Sequence, residues 1–518
     1  MRRFYKLVGA AALVAAGGCN PDLEITNPNN PDVLRALASP DDVRNISIST
    51  VNSWYLTSTY VEPYIMMCVT ADACTANFGN FGMRFNNLEP RIAYENNSAG
   101  GDREVARQPW DGNYGYLGAA NDALKAYAAG VALTTPAETA KFKALAQFSQ
   151  AAAMTNLALI FDKAFIVDED FDAQAGAPEL KPYKDVSDAA LVKWEALIGA
   201  TNGKSETYDP TVIPLTVGPL TSVRLNRFAN SMAALLMAYT PRNAAEAAAV
   251  NWAKVAQLAD KGIGTGSAGS PFDFTVIGDF NNWYSYTQYY GNEQSWVRVD
   301  QRLINRMDPS QPAKFTGTIV PKGSSADARY TTDYTQRSEV IGDPTRGIYM
   351  QTPWYHSRYE AHSRFSTTAG RTPVPYLLAA ESDLVRAEAL IRSGGSLATA
   401  AALINNSRVN RGHLPAATAG ESQATLLGYI DYERDVETLN SSGFTLFQRR
   451  HVDGLQPGTL RHLPIPAKEL ETLALPIYTF GGVGKPDMNI VLPTGELKAF
   501  HAPGRFSLPS ARTDFPSR

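Results

Sequence analysis

Residues 375–412 read PYLLAAESDLVRAEALIRSGGSLATAAALINNSRVNRG, and this stretch decides the fold. Leu377, Ala380, Leu384, Ala387 and Ile391 recur at three- and four-residue steps, so they share one face of a predicted helix. Glu381, Asp383, Arg386 and Arg392 fall off that stripe. Pro375 suits a first helical turn, where its missing N–H costs nothing. Gly394-Gly395 stops the helix and Ser396 can cap the next. The second helix is thin and Ala-rich, with Leu397, Ala401 and Ile404 toward its partner. Arg408 and Arg411 stand near its C-terminus, where the dipole favours cations, and Gly412 ends it. Packing alone fits two readings, an ordinary helical hairpin or one unit of a helix-pair array.

Similar grammar recurs along the chain. Asp32 to Tyr60 predicts a helical opening with a break and cap at Ser39-Pro40-Asp41-Asp42. Trp110 to Tyr127 is helical, and Thr135-Pro136 caps a long helix through Phe142, Leu145, Phe148, Ala152 and Leu159. Helices follow at 187–200, 222–239 and 244–261, the last two as another array-like pair, and at 423–439. Residues 77–108 and 263–374 lack periodicity.

Composition excludes several classes. The 518 residues, 44% hydrophobic, suffice for one large helical array or several domains. A net charge of -4 leaves no basic footprint for nucleic acid. No run of ~18 apolar residues follows residue 20, so no transmembrane helix is expected.

Residues 1–19 have the parts of a lipoprotein signal peptide. Arg2, Arg3 and Lys6 are the charged end, Leu7 to Ala16 the apolar run, and Ala16-Gly17-Gly18-Cys19 is similar to a bacterial lipobox. Cys19 would be the acylated anchor; a plain signal peptide with an incidental Cys is the alternative. The Pro- and Asn-rich residues 20–31 read as a tether. With Cys19 lipidated, Cys68 and Cys74 remain, either as a disulfide or as two buried thiols.

The helix-pair stretch resembles the signature of the SusD/RagB family, surface lipoproteins that capture nutrients for an outer-membrane transporter. The resemblance rests on Val385-Arg386-Ala387-Glu388-Ala389-Leu390 and on Ile404-Asn405-Asn406-Ser407-Arg408-Val409-Asn410-Arg411. Family-like positions follow in order at Trp110, Tyr114, Ala120 and Asn121, at Ile430, Glu433, Arg434 and Glu437, and at Leu463-Pro464-Ile465-Pro466 with Glu469. The chain departs from the pattern at Asn440 to Phe444, and the family's Asn-Pro-Gly ending is missing.

The resemblance implies a mainly α, SusD-like fold: tetratricopeptide-type helix pairs forming a curved scaffold, with long irregular segments and a few short strands. It divides the chain into the signal peptide 1–19, the tether 20–31, a helical-repeat region 32–270, an irregular aromatic-rich region 271–374, a helical pair with C-terminal motifs 375–480, and an unmatched tail 481–518. It implies no enzyme, no cofactor and no metal. The expected partners are an oligosaccharide or peptide ligand, a SusC-like TonB-dependent transporter, and the outer membrane through the lipid anchor, with the body facing the cell exterior. Rival classes are a helical adaptor binding only proteins and a surface glycosidase.

Candidate ligand residues lie in the irregular region. Trp283, Tyr284, Tyr286, Tyr289, Tyr290 and Trp296 crowd one stretch, and Trp354 and Tyr355 a second. Trp and Tyr offer an apolar face with a polar tip, suited to stacking on sugars or gripping peptides. Asn281, Asn282 and Gln288 stand beside them. The same composition also fills cores and protein interfaces.

Other motifs lose on context. Asp168, Asp170, Asp172 and Glu179 have calcium-loop spacing, but Ala173 stands where the turn needs Gly, so an acidic solvated loop is expected. Gly264, Gly266 and Gly269 follow a helix rather than a strand, which removes the dinucleotide reading. His356, Glu360 and His362 are spaced off a common helical face, against a zinc site.

Overall fold

A computed structural model describes residues 37–491 and 497–499, apart from 38, 78, 81, 173–175, 293–295, 442 and 486–487. The signal peptide with Cys19, the tether and most of the tail lie outside the described residues.

The architecture is a series of helices, each laid on the next. These are α1 (Pro40–Ser58), α2 (Glu104–Ala128), α3 (Pro136–Ile160), α4 (Tyr183–Thr201), α5 (Ser222–Tyr239), α6 (Trp252–Asp260), α7 (Ala379–Arg392), α8 (Leu397–Arg408) and α9 (Gln423–Glu437). α1 packs on α2 and α3, α3 on α4, α4 on α5, α5 on α6, α6 on α7, and α7 on α8 and α9. Their starts follow capping chemistry. Ser39, Thr135, Thr221, Asn251, Ser396 and Ser422 each accept an N–H bond from the third residue along, satisfying a donor that the helix itself cannot. α3 is buried on every side from Ala144 onward, so it forms the spine of the largest core. Phe148 on α3 meets Trp54 of α1 at 4.7 Å between ring centroids, and Trp194 and Phe228 at 5.9 Å each.

The opening stretch folds as the expected pair, with one correction. Leu384, Ala387 and Ile391 of α7 share a core with Ala401 and Ile404 of α8. Pro375 and Leu377, however, belong to a strand, Pro373–Leu377, paired antiparallel with Phe274–Ile277. Two prolines at alternate positions hold the residues before them extended, so the helix starts only at Ala379. α8 ends at Arg408, and Arg411 and Gly412 lie in the turn beyond it. Two other expected helices also change. The opening helix begins at Pro40, and the span 244–261 splits into Ala244–Ala247 and α6, each with an Asn cap.

The signature residues act in packing. Glu388 on α7 bonds Arg434 on α9 at 2.7 Å and His451 at 3.1 Å. The Asn405 side-chain amide makes two bonds to Ala417, pinning the loop after α8. Burial opposes ionisation of Glu388, but His451 and Arg434 prevail and hold its carboxyl well below the usual range.

Region 271–374 consists of short pieces fixed by long-range pairing. Besides the strand pair above, Tyr334–Gln336 pairs with Trp354–His356, and Val297–Val299 with Cys74–Ala76. Cys68 and Cys74 form a disulfide beside that last pair. Arg329, fully buried, ties the region to α9: its guanidinium bonds Asp327 at 2.8 Å, Glu433 at 2.6 Å and Glu437 at 3.2 Å.

Two of the four acids with calcium-loop spacing, Asp168 and Glu179, are paired with lysines. Lys193 holds Asp168 and Glu169 at 3.0 Å each, and Lys181 holds Glu179 at 2.6 Å. Among the described residues, no three side chains are grouped to hold a metal ion.

His356 is fully buried between Tyr334 and Tyr359, with neither ring nitrogen bonded among the described residues. Burial, helped by Arg358 and Arg411, pushes its pKa down to about 3. An unfolded histidine titrates near ~6.5. The contribution of a neutral buried ring is therefore complete above that pH and lost as pH falls toward 3. Removing the titrating ring should relieve this loss: relative to wild type, His356→Phe should gain about 2 kcal/mol on going from pH 8 to pH 5. Paired denaturation curves at the two pH values measure it, and a difference unchanged with pH would assign the ring a charge-tolerant site.

Candidate ligand cleft

The aromatic stretch begins with a turn built by one carboxylate. Asp279 accepts N–H bonds from Asn281, Asn282 and Trp283 at 2.7–2.9 Å. Burial raises its pKa, but these bonds outweigh that and keep it below the ordinary Asp value. The turn holds Phe280 at φ 68°, a backbone region costly for a bulky residue, with its ring 43% exposed. A Cβ at Gly370 would come within 2.8 Å of the Tyr284 ring, so glycine makes room for the aromatic group there.

The result is a cleft of about 360 Å³ where the end of α1, the start of α2 and the aromatic stretch meet. Tyr60, Phe280, Tyr284 and Tyr286 line it, with Asn281 and Gln108 as its amides. The rings meet edge to face: Tyr60–Tyr286 at 4.8 Å, Tyr284–Tyr286 at 4.2 Å and Phe280–Tyr284 at 5.1 Å. The volume is that of a small-ligand site, and such sites combine apolar walls with a few fixed polar groups. Gln108 and Asn281 supply the amides at its wall. Burial, then the neighbouring tyrosines, raises the Tyr284 phenol far above its usual pKa, so it remains a neutral group at physiological pH. Glu62, near Tyr60, is pushed up to about 7 by burial and then by Glu104 and Asp102.

The structure sorts the sequence candidates. Tyr286, half-buried, reaches the cleft, and Tyr284 lines it with only 7% of its surface exposed. Tyr289 packs behind Tyr284 at 4.9 Å, and Tyr290 stacks on Trp296 at 4.8 Å with Arg364 above the indole. Trp283, Trp354 and Tyr355 are corrections. Trp283 is 6% exposed and turned into the main core against Tyr55, at 5.3 Å. Trp354 has no exposed surface and packs on Tyr330 at 5.2 Å, in the smaller core beneath Tyr286 and Tyr290. Tyr355 is 4% exposed, its hydroxyl given to Glu360. A stacking surface needs an open ring face, and none of these three offers one. Tyr60 and Gln108 carry no sequence signal for this role. They reach the cleft only because α1 and α2 pack side by side.

Helix series and irregular aromatic half together define a helical scaffold that presents a ligand-sized cleft. No family model matches the sequence, and no curated protein matches it. Solved structures do match. A SusD superfamily protein from Bacteroides thetaiotaomicron superposes with TM-score 0.58 at 13% identity, covering 84% of this chain and 98% of that one. Surface glycan-binding protein A from Bacteroides uniformis gives TM-score 0.60 at 14% identity, covering 84% and 98%. A SusD-like carbohydrate binding protein from Bacteroides vulgatus gives 0.56 at 15%, covering 80% and 83%. The chain has the SusD-like fold.

Proposed function

We propose that this protein is a nutrient-binding component of the outer-membrane surface that captures glycans in the Tyr60–Phe280–Tyr284–Tyr286 cleft. The observation that carries the reading is the juxtaposition of aromatic walls with the Gln108 and Asn281 amides in one cleft. Sugar rings have apolar faces for stacking and hydroxyls for such amides. Two of the structurally similar proteins bear glycan- or carbohydrate-binding names, which supports a glycan over a peptide. Binding here requires no covalent step, so the protein acts by capture and not by turnover. The captured ligand passes to a SusC-like TonB-dependent transporter, which the SusD/RagB resemblance implies as partner. A screen of soluble oligosaccharides and peptides against the mature chain tests the reading. Saturable binding of an oligosaccharide without product release is expected. Binding of proteins alone would favour the adaptor class, and turnover would favour the glycosidase.

Anchoring follows from the signal-like N-terminus. Among the described residues, no helix is long and apolar enough to cross a membrane. Acyl chains on Cys19 would hold the body at the surface, each buried CH₂ contributing ~0.8 kcal/mol. Cys19→Ala should move the protein from the outer-membrane fraction to the soluble fraction in cells lacking the partner barrel. Retention in the membrane fraction would remove the lipid anchor from the account.

A further inference from the structure

A second, larger pocket of about 470 Å³ lies away from the aromatic cleft, where α3 and α5 end beside the loop that follows strand Tyr478–Phe480. Arg242 and Arg450 line it, and neither makes an ion pair among the described residues. Arg242 donates to the carbonyls of Ala158 and Phe161 at the end of α3, and to Thr240 after α5. Arg450 donates to Leu159, Tyr239 and Arg461 carbonyls at 2.7–2.9 Å. Two helix C-termini supply roughly half a negative charge each, and Glu246 and the buried Asp162 act on Arg242 without touching its guanidinium.

Arg461 and Lys485 stand at the rim, where Asp453 offsets Arg461 and Glu246 also accepts the Arg242 backbone N–H at 3.0 Å. Glu246 accepts the Tyr183 hydroxyl at 2.7 Å and pairs with Lys184 at 3.4 Å. Asp453 accepts the Ala244 N–H at 3.3 Å and faces Arg461 at 3.7 Å. Arg450 is fully buried, and its Nε has no partner among the described residues. His462 accepts from Arg242 at Nδ1, which leaves Nε2–H as a further donor. Burial, and then repulsion from Arg242, hold the Arg450 guanidinium below its ordinary pKa against the opposing pull of Tyr183 and Glu246.

We propose that this pocket binds a small oxyanion, carried as a carboxylate, sulfate or phosphate group, with Arg450 and Arg242 at its base and Arg461 and Lys485 at its rim. Planar guanidinium donors match such groups in shape as well as charge. Isothermal titration of the mature chain at low salt tests it, with inorganic sulfate, inorganic phosphate and glucuronate as probes and glucose as the neutral control. Saturable binding of at least one oxyanion is expected, with none for glucose. The tightest probe separates a free inorganic anion from an acidic sugar. The double variant Arg461→Gln, Lys485→Gln changes only rim groups, so it should keep the wild-type melting temperature while weakening that binding by about tenfold or more. Tyr286→Ala should leave oxyanion binding unchanged, which separates this pocket from the cleft. Silence with all three anions, equal binding of glucose, or an unaffected double variant would overturn the proposal.

Discussion

Arg329→Ala should destabilise the protein by about 3–5 kcal/mol, since removing one partner of a buried ionic network strands the others. Asp327 and Glu433, each at most 1% exposed, would lose their close cation, while Glu437 would keep Arg358 at 3.0 Å and Arg411 at 3.4 Å. Their mutual repulsion would then fall on the joint between the irregular region and α9. The neutral, unbranched Arg329→Met should lose nearly as much, because the loss comes from the unpaired carboxylates and not from the missing volume. Part of the loss should be recovered toward acid pH, where the stranded groups take up protons. Urea denaturation of both variants at pH 8 and pH 5 measures this. A loss under about 1 kcal/mol at pH 8 would show that the carboxylates find other partners or water.

Trp354→Ala should cost a similar ~3–5 kcal/mol, the usual range for deleting a fully buried aromatic group. The ring packs on Tyr330 with the Lys322 ammonium over its face, in a core shared with Tyr334, and these neighbours can collapse only in part. The effect should appear in stability, with ligand affinity per folded molecule unchanged. A stable variant with weakened binding would return Trp354 to the ligand surface and displace the reading of its burial.

These two residues show what the sequence could and could not convey. Helix starts were legible because a cap is local chemistry: Thr135-Pro136 and Ser396 each bond a neighbour three residues away. The strand Pro373–Leu377 reads from sequence as a helical turn at Pro375, because proline is compatible with both states. Its partner, Phe274–Ile277, which decides between them, lies about a hundred residues earlier. The aromatic stretch was recognisable as unusual, and Tyr284 and Tyr286 do line the cleft. Trp283 and Trp354 have the same chemistry and were grouped with them, because composition does not distinguish a ring facing water from one facing the core. Tyr60 and Gln108 went unnoticed for the converse reason. Tyr60 just past the end of α1 and Gln108 in α2 are each unremarkable in their own segment, and only the packing of α1 against α2 and residues 280–286 turns both toward one space.

The central claim is that an open aromatic cleft captures glycan. Titration of wild type and Tyr286→Ala with the tightest oligosaccharide from the panel, alongside their melting temperatures, tests it most directly. Tyr286 is half-buried at the cleft wall, so its loss should spare most of the stability. By analogy with base stacking, worth ~1–3 kcal/mol per contact, affinity should fall by about tenfold or more. Unchanged affinity in Tyr286→Ala, or no oligosaccharide bound by the wild type at all, would contradict the account.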